Sequence, residues 1–282
     1  MTIRFENVWF AYESFAVPGN QPRPQLQDIS FEIRAGELVG LVGRSGSGKT
    51  TLMQMFNGLL VPERGRVLVD EQDILMSDYD LTALRRRLGV VFQFPEMHLF
   101  AATVEEEIAF GPQQQNLPAA DIAKNVTLAL HQVGLDESFG GRNPFTLSQG
   151  EKRRVVLAGV LAMQPEMLVL DEPTASLDAR GAWEVRRLLR DWQAAGKTLV
   201  IISHDIDLIA RFCHRLLVLG EGRLIYDGPT ASLWGIAGPD SAQELLQQAG
   251  LAWPRYQRLR QVLSSQDIPW QGISILKDGQ NA

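Results

Sequence analysis

Residues 43–50 read GRSGSGKT and follow the apolar run Leu38–Val42. The octapeptide matches G-x-x-x-x-G-K-[ST] in full, with Gly43, Arg44, Ser45, Gly46, Ser47, Gly48, Lys49 and Thr50 in register. A phosphate needs many donors and no bulky side chains in the way. Glycines let successive backbone N–H groups turn inward, and the helix expected over Thr51–Leu59 adds its positive N-terminal end. Lys49 can reach outer phosphates and the Thr50 hydroxyl can ligate Mg²⁺. A strand, a glycine loop and a helix in that order confine the chain to an α/β fold with phosphate at a strand end.

A second signal is Met167–Leu170 followed by Asp171 and Glu172, an apolar strand ending in two carboxylates. Neighbours on a strand point opposite ways. One carboxylate can then reach Mg²⁺ while the next orients an attacking water, and phosphoryl transfer needs both jobs near the γ-phosphate. Alone, this is an ordinary strand end with solvated acids. Beside a complete phosphate loop the functional reading is the stronger one.

Strands are expected at Thr2–Tyr12, Leu26–Arg34, Leu38–Val42, Arg66–Val69, Gly89–Phe92, Met167–Leu170, Thr198–Ile202 and Leu216–Leu219. Continuous apolar runs near residues 168 and 200, bounded by helical patterns, fit a parallel sheet buried on both faces. Helices are expected at Ala119–Val133, Gly150–Met163 and Arg180–Ala194, with two short ones at Ser241–Gln248 and Tyr256–Leu263. The composition shifts after Gly228-Pro229, which places a boundary near residue 230 of the 282.

The chain carries a net charge of −6, which argues against a general nucleic-acid binder. Its one cysteine, Cys213, rules out an internal disulfide and suits a reducing compartment. No apolar run approaches the roughly 20 residues of a spanning helix. The N-terminal MTIRFENVWF shows no secretory pattern.

Thr146–Arg154 reads TLSQGEKRR and opens a helix, with Ser148 as N-cap and Glu151 completing a capping box. The bland account is a well-capped helix and nothing more, yet Ser with Gly at a helix N-terminus is also an anion site. At this point residues 1–230 resemble the ATPase subunits of ATP-binding cassette (ABC) transporters. GRSGSGKT resembles the family's phosphate loop, Gln93 its Q-loop glutamine, LSQGE (147–151) its LSGGQ signature and LVLDEP (168–173) its second nucleotide motif. Ser176-Leu177-Asp178 resembles the D-loop, His204 the switch histidine, and Tyr12 the aromatic that stacks on adenine. Two residues depart from the pattern: Gln149 replaces the first glycine of the signature and Glu151 its final glutamine, while Ser148 and Gly150 are kept.

The resemblance implies a P-loop NTPase cassette with a mixed sheet core, an antiparallel β subdomain, a helical subdomain over about 95–165 and a C-terminal helical appendage over 231–282, a candidate dimerisation element. It implies ATP bound by Tyr12, the loop and Thr51, with Mg²⁺ held by Thr50, Gln93 and Asp171. Two such domains would pair head to tail. Ser148, Gln149, Gly150 and Glu151 would then serve the partner's ATP. Glu172 would polarise water, His204 would hold γ-phosphate and water in line, Asp178 would form the D-loop, and Gln93 would link Mg²⁺ to the membrane partner.

Phe94-Pro95-Glu96-Met97-His98-Leu99-Phe100, the following TVEEEIAFG (103–111), the run Ala158–Met163 and the tail 245–251 with Pro254 resemble the energy-coupling factor (ECF) branch, importers of vitamins and of cobalt or nickel ions. Phe94, Pro95, Met97, Leu99 and Phe100 form an apolar loop that suits a groove for a partner's helix; packing of the helical subdomain explains the same residues. The branch implies a transmembrane coupling subunit, a substrate-binding membrane subunit and a peripheral position on the cytoplasmic face of the cell membrane. Arg85-Arg86-Arg87 reads as a solvated helix face, with a phospholipid-facing role as the lesser alternative. A soluble ABC-type ATPase acting on DNA or ribosomes is the competing class. A GTPase switch is a third, for which the guanine-reading N-K-x-D motif is missing.

Overall fold

The structure is a computed structural model and describes residues 1–12, 24–234, 245–247, 249–251 and 254–255. In chain order its strands are β1 (Ile3–Phe10), β2 (Leu26–Ile33), β3 (Leu38–Gly43), β4 (Arg64–Val69), β5 (Gln72–Asp73), β6 (Leu88–Val91), β7 (Met167–Asp171), β8 (Thr198–Ile202), β9 (Arg215–Gly220) and β10 (Arg223–Pro229). The helices are α1 (Lys49–Phe56), α2 (Leu81–Arg87), α3 (Val104–Gln114), α4 (Ala119–Gln132), α5 (Gln149–Ala162), α6 (Ala179–Ala194), α7 (Ile206–Phe212) and α8 (Thr230–Trp234).

A six-stranded sheet runs β10-β9-β3-β8-β7-β6, parallel except for the β9–β10 hairpin. A four-stranded antiparallel sheet, β2-β1-β4-β5, covers one side. The alternation of β3 explains both layers. Leu38 and Val42 join the apolar cluster shared with α5, α6 and α7, while Val39 and Leu41 join the cluster under the antiparallel sheet. Strands β7 and β8 do the same, with Leu168, Leu170, Leu199 and Ile201 on one face and Met167, Val169, Val200 and Ile202 on the other. A strand buried on both faces has no polar positions to spare, which is why these runs read as unbroken apolar sequence.

Helices α3, α4 and α5 pack together beside the main sheet. Both α3 and α5 begin in capping boxes, Thr103 with Glu106 and Ser148 with Glu151. Helix α1 is shorter than its sequence pattern predicts. It stops at Phe56, because the carbonyl of Gln54 takes the N–H groups of Leu59 and Leu60 in a turn through Gly58 (φ 66). Among the described residues no helix is long and apolar enough to cross a membrane.

Packing continues past residue 230: Leu233 and Trp234 are 2% and 1% exposed and belong to the main apolar cluster. Leu246 and Ala249 are buried in the same cluster, and the Arg255 N–H donates to Asp207 Oδ1 at 2.7 Å. These tail residues therefore dock on their own domain. Residues 241–244, 248 and 256–263 of the two predicted tail helices lie outside the described residues. The arginine cluster is not simply solvated. Arg85 donates to the carbonyl of Asn57, Arg86 to that of Gln114, and Arg87 pairs with Glu166 and Asp70.

Candidate active site

Parallel strands present their C-terminal ends to one edge, where open α/β sheets bind ligands. The loop of Gly43–Thr50 leaves β3 there, Gln93 follows β6, Asp171 and Glu172 end β7, and His204 follows β8. Four separated pieces of sequence thus meet because their strands are neighbours.

The phosphate loop turns as its glycines require. Gly43 has φ 151, and a Cβ there would sit 2.2 Å from the Leu219 carbonyl oxygen and 2.7 Å from Ser47 Oγ. Gly46 has φ 81 with nothing within 4 Å of a built Cβ, so its face is open. The Lys49 ammonium donates to the carbonyls of Gly43 at 2.7 Å and Arg44 at 2.9 Å. The Ser47 hydroxyl oxygen is buried without a hydrogen-bond partner in the protein. Arg44, Ser45, Gly46 and Thr50 are exposed, whereas Thr51 is buried and its hydroxyl lies 3.1 Å from the Tyr12 hydroxyl. Tyr12 stands half exposed, edge-on to Phe10 at 4.9 Å between ring centroids. Gln25, which no sequence pattern marked, holds the loop from outside by donating to the Gly46 carbonyl at 3.0 Å.

Asp171 is buried beside Glu172, and burial followed by that neighbouring charge pushes its carboxyl up to about 6, against the opposing pull of Lys49 and Arg153. Lys49 is lowered by the same burial, with Asp171 and Glu172 resisting the shift. Crowded, dry carboxylates of this kind favour a hard cation. The Thr50 hydroxyl, the Gln93 amide oxygen and the Asp171 carboxylate are oxygen donors of the kind that Mg²⁺ takes, so their chemistry fits that ion.

Glu172 sits in the left-handed region at φ 50, held by its N–H to the Ile202 carbonyl at 2.8 Å. Its carboxylate accepts from Ser203 Oγ at 2.9 Å and from the His204 backbone N–H at 2.7 Å, with His204 Nε2 3.8 Å away. Such fixed acceptor geometry orients a carboxylate for general-base work. Ser203 was not marked by sequence.

Ser148, Gln149 and Gly150 open α5, away from the phosphate loop. Ser148 and Gly150, with Glu151, Ser176, Asp178 and Arg180, line a cleft of about 400 Å³ to which neither Gln149 nor any residue of Gly43–Thr50 contributes. Glu151 accepts from both the Ser148 N–H at 2.8 Å and the Ser148 hydroxyl at 2.7 Å. That pairing with Ser148 holds the Glu151 carboxyl below its ordinary value. Asp178 caps α6 by accepting from the Gly181 N–H at 2.7 Å.

The apolar loop after Gln93 divides in two. Phe94, Met97 and Phe100 are 49%, 80% and 60% exposed, but Leu99 is 7% exposed and Pro95 is buried. Pro95 and Leu99 are therefore core residues rather than partner contacts, because the short 3₁₀ turn Pro95–His98 rolls them inward. Phe100 packs edge-on against Phe110 at 4.9 Å and borders a groove of about 520 Å³ with Val156, Val160 and Met163.

The strand-end loop, the carboxylate pair and the separate signature helix define a nucleotide-binding ATPase. Residues 26–175 match the family model described as ABC transporter. The chain belongs to the ABC transporter family of ATP-binding proteins, nucleotide-binding subunits that hydrolyse ATP. Within it the chain is 39% identical to the energy-coupling factor transporter ATP-binding protein EcfA2 of Clostridium tetani, over 90% of this chain and 86% of that one. It is 46% identical to the EcfA2 protein of Symbiobacterium thermophilum, over 79% and 77% of the two chains. Among solved structures it is similar to cbiO1 from Clostridium perfringens, part of the ABC transporter complex cbiONQ, with a TM-score of 0.72, 34% identity and 92% and 98% coverage. A dimeric ATP-binding cassette in a post-hydrolysis state, bound to ADP and Pi, gives a TM-score of 0.72 at 29% identity, covering 80% and 98%.

Proposed function

We propose that this chain is the ATPase motor of an ECF-type importer of vitamins or of cobalt or nickel ions, working at the cytoplasmic face of the membrane as one half of an ATPase pair. The observation that carries the pairing is the separation of the two anion-binding helix ends. The signature cleft at Ser148 shares no residue with the phosphate loop, so its donors serve a nucleotide held by another chain. In the pair, Tyr12, the loop residues and Thr51 hold ATP, and Ser148, Gln149, Gly150 and Glu151 reach the nucleotide of the partner. Asp178, at the mouth of the same cleft, is the D-loop contact.

Thr50, Gln93 and Asp171 would hold Mg²⁺, which when bound neutralises charge between the outer phosphates. Glu172 takes a proton from the attacking water. The His204 main chain fixes that carboxylate, and its exposed ring, 3.8 Å away, lines up the γ-phosphate. Lys49 moves from the loop carbonyls to the phosphate oxygens. Phe94, Met97 and Phe100, with the groove beside Phe110, receive a helix of the membrane subunit. Residues 1–230 act as the cassette and 231–282 as the appendage.

The full chain is purified by tag from detergent-solubilised membranes and its companions are identified by mass. Recovery of a transmembrane coupling subunit and a substrate-binding membrane subunit supports the reading. Recovery with ribosomes or DNA, and no membrane subunit, overturns it.

A further inference from the structure

The Arg153 side chain is only 7% exposed. Burying a guanidinium is costly unless its charge and donors are met. Here the charge is paired and one donor is bonded by two stretches of chain that are far apart in sequence. Arg153 Nε lies 3.4 Å from Glu96 Oε2, in the Pro95–His98 turn of the exposed loop, and the guanidinium also faces the Phe94 ring at 5.9 Å. Its Nη1 donates to the Ala175 carbonyl, and the Ala175 N–H in turn donates to the Glu172 carbonyl at 3.1 Å. Phe94, Glu172 and Ser176 all sit in the left-handed region, at φ 55, 50 and 59. Non-glycine residues hold such angles only when their surroundings over-determine them. The Arg153 side chain reaches both strained turns.

We propose that Arg153 is a positioning residue for ATP hydrolysis. Through Ala175 it fixes the turn that carries Glu172. Through Glu96 it ties that turn to the Phe94–Phe100 loop, so that movement of the loop is delivered to the carboxylate. This rests on the proposed role of Glu172 as base.

The test uses the full-length chain carrying Glu96→Gln, Arg153→Gln, both together, or Glu172→Gln, with kcat, KM and melting temperature measured for each. Glu96→Gln leaves the guanidinium and the fold in place and is the variant that decides if Arg153→Gln melts early. The expected result is a fall in kcat of about tenfold in Glu96→Gln and in Arg153→Gln, with KM within about twofold. The double variant is then no slower than Arg153→Gln alone, because both changes break one linkage. Wild-type kcat in Glu96→Gln, or losses that multiply in the double variant, overturns the proposal. Wild-type turnover in Glu172→Gln removes the base assignment itself, whereas an inactive Glu172→Gln beside a fully active Glu96→Gln removes only the linkage.

Discussion

The backbone N–H of His204 donates to Glu172 Oε1 at 2.7 Å, while the His204 ring nitrogen stands 3.8 Å from the same oxygen. The main chain therefore orients the carboxylate, and in the proposed function the ring is left to face the nucleotide. Two tasks are divided between two parts of one residue.

His204→Ala keeps the backbone donor and removes the ring. Turnover should fall by about 10²-fold while ATP binding changes little, because only an interaction made at the reacting phosphate is lost. Steady-state hydrolysis beside equilibrium nucleotide titration checks this. A parallel loss of binding would place the ring in ground-state contacts instead.

Asp171 carries a pH dependence whose sign follows from its raised value. Below its ordinary 3.8 the carboxyl is protonated both folded and unfolded. Between there and about 6 the unfolded chain ionises first, so the fold loses stability as pH rises across that window. Above it the cost stays constant at about 3 kcal/mol. Asp171→Asn should flatten this dependence and raise the melting temperature at pH 7. Hydrolysis should fall by about 10²-fold with the lost cation ligand. Melting curves between pH 4 and pH 8 test the sign; a variant that melts lower at pH 7 would refute it.

The loop after Gln93 offers a paired comparison. Met97→Asp with Phe100→Asp changes exposed side chains, so melting temperature and ATP affinity should hold while association with the membrane subunit is lost. Leu99→Asp buries a charge and should destabilise the fold by about 3–5 kcal/mol. Thermal melts and co-purification separate the two outcomes.

The Ser148 hydroxyl donates to the Glu151 carboxylate, a bond that would compete with the proposed partner phosphate and place a negative charge beside it. Glu151→Gln keeps an acceptor for the Ser148 N–H and removes the charge. ATP-driven pairing should tighten by about 3- to 10-fold, on the scale of one partly screened charge. Sedimentation with ATP measures it, and unchanged or weaker pairing would count against a phosphate at Ser148.

Much of this was legible in the sequence because it depends on local rules. The glycines of residues 43–48 state their own backbone angles. Unbroken apolar runs give β7 and β8, and Ser148 with Glu151 states a helix start. What escaped depends on which residues become neighbours only after folding. Gln25 reaches Gly46 across 21 positions, and Ser203 reaches Glu172 across 31. Arg153 did leave a trace: it lies four residues before Leu157 and eight before Leu161, on the buried face of α5. Leu99 shows the opposite failure, since hydrophobicity alone does not distinguish a core side chain from a docking one.

The central claim is that two chains enclose ATP, with Glu172 as the base. Glu172→Gln with Mg²⁺ and ATP, followed by light scattering and by analysis of the retained nucleotide, tests it most directly. The account predicts a stable pair holding unhydrolysed ATP and turnover reduced by about 10²-fold or more. Hydrolysis by Glu172→Gln at the wild-type rate, with no ATP-trapped pair, would contradict it.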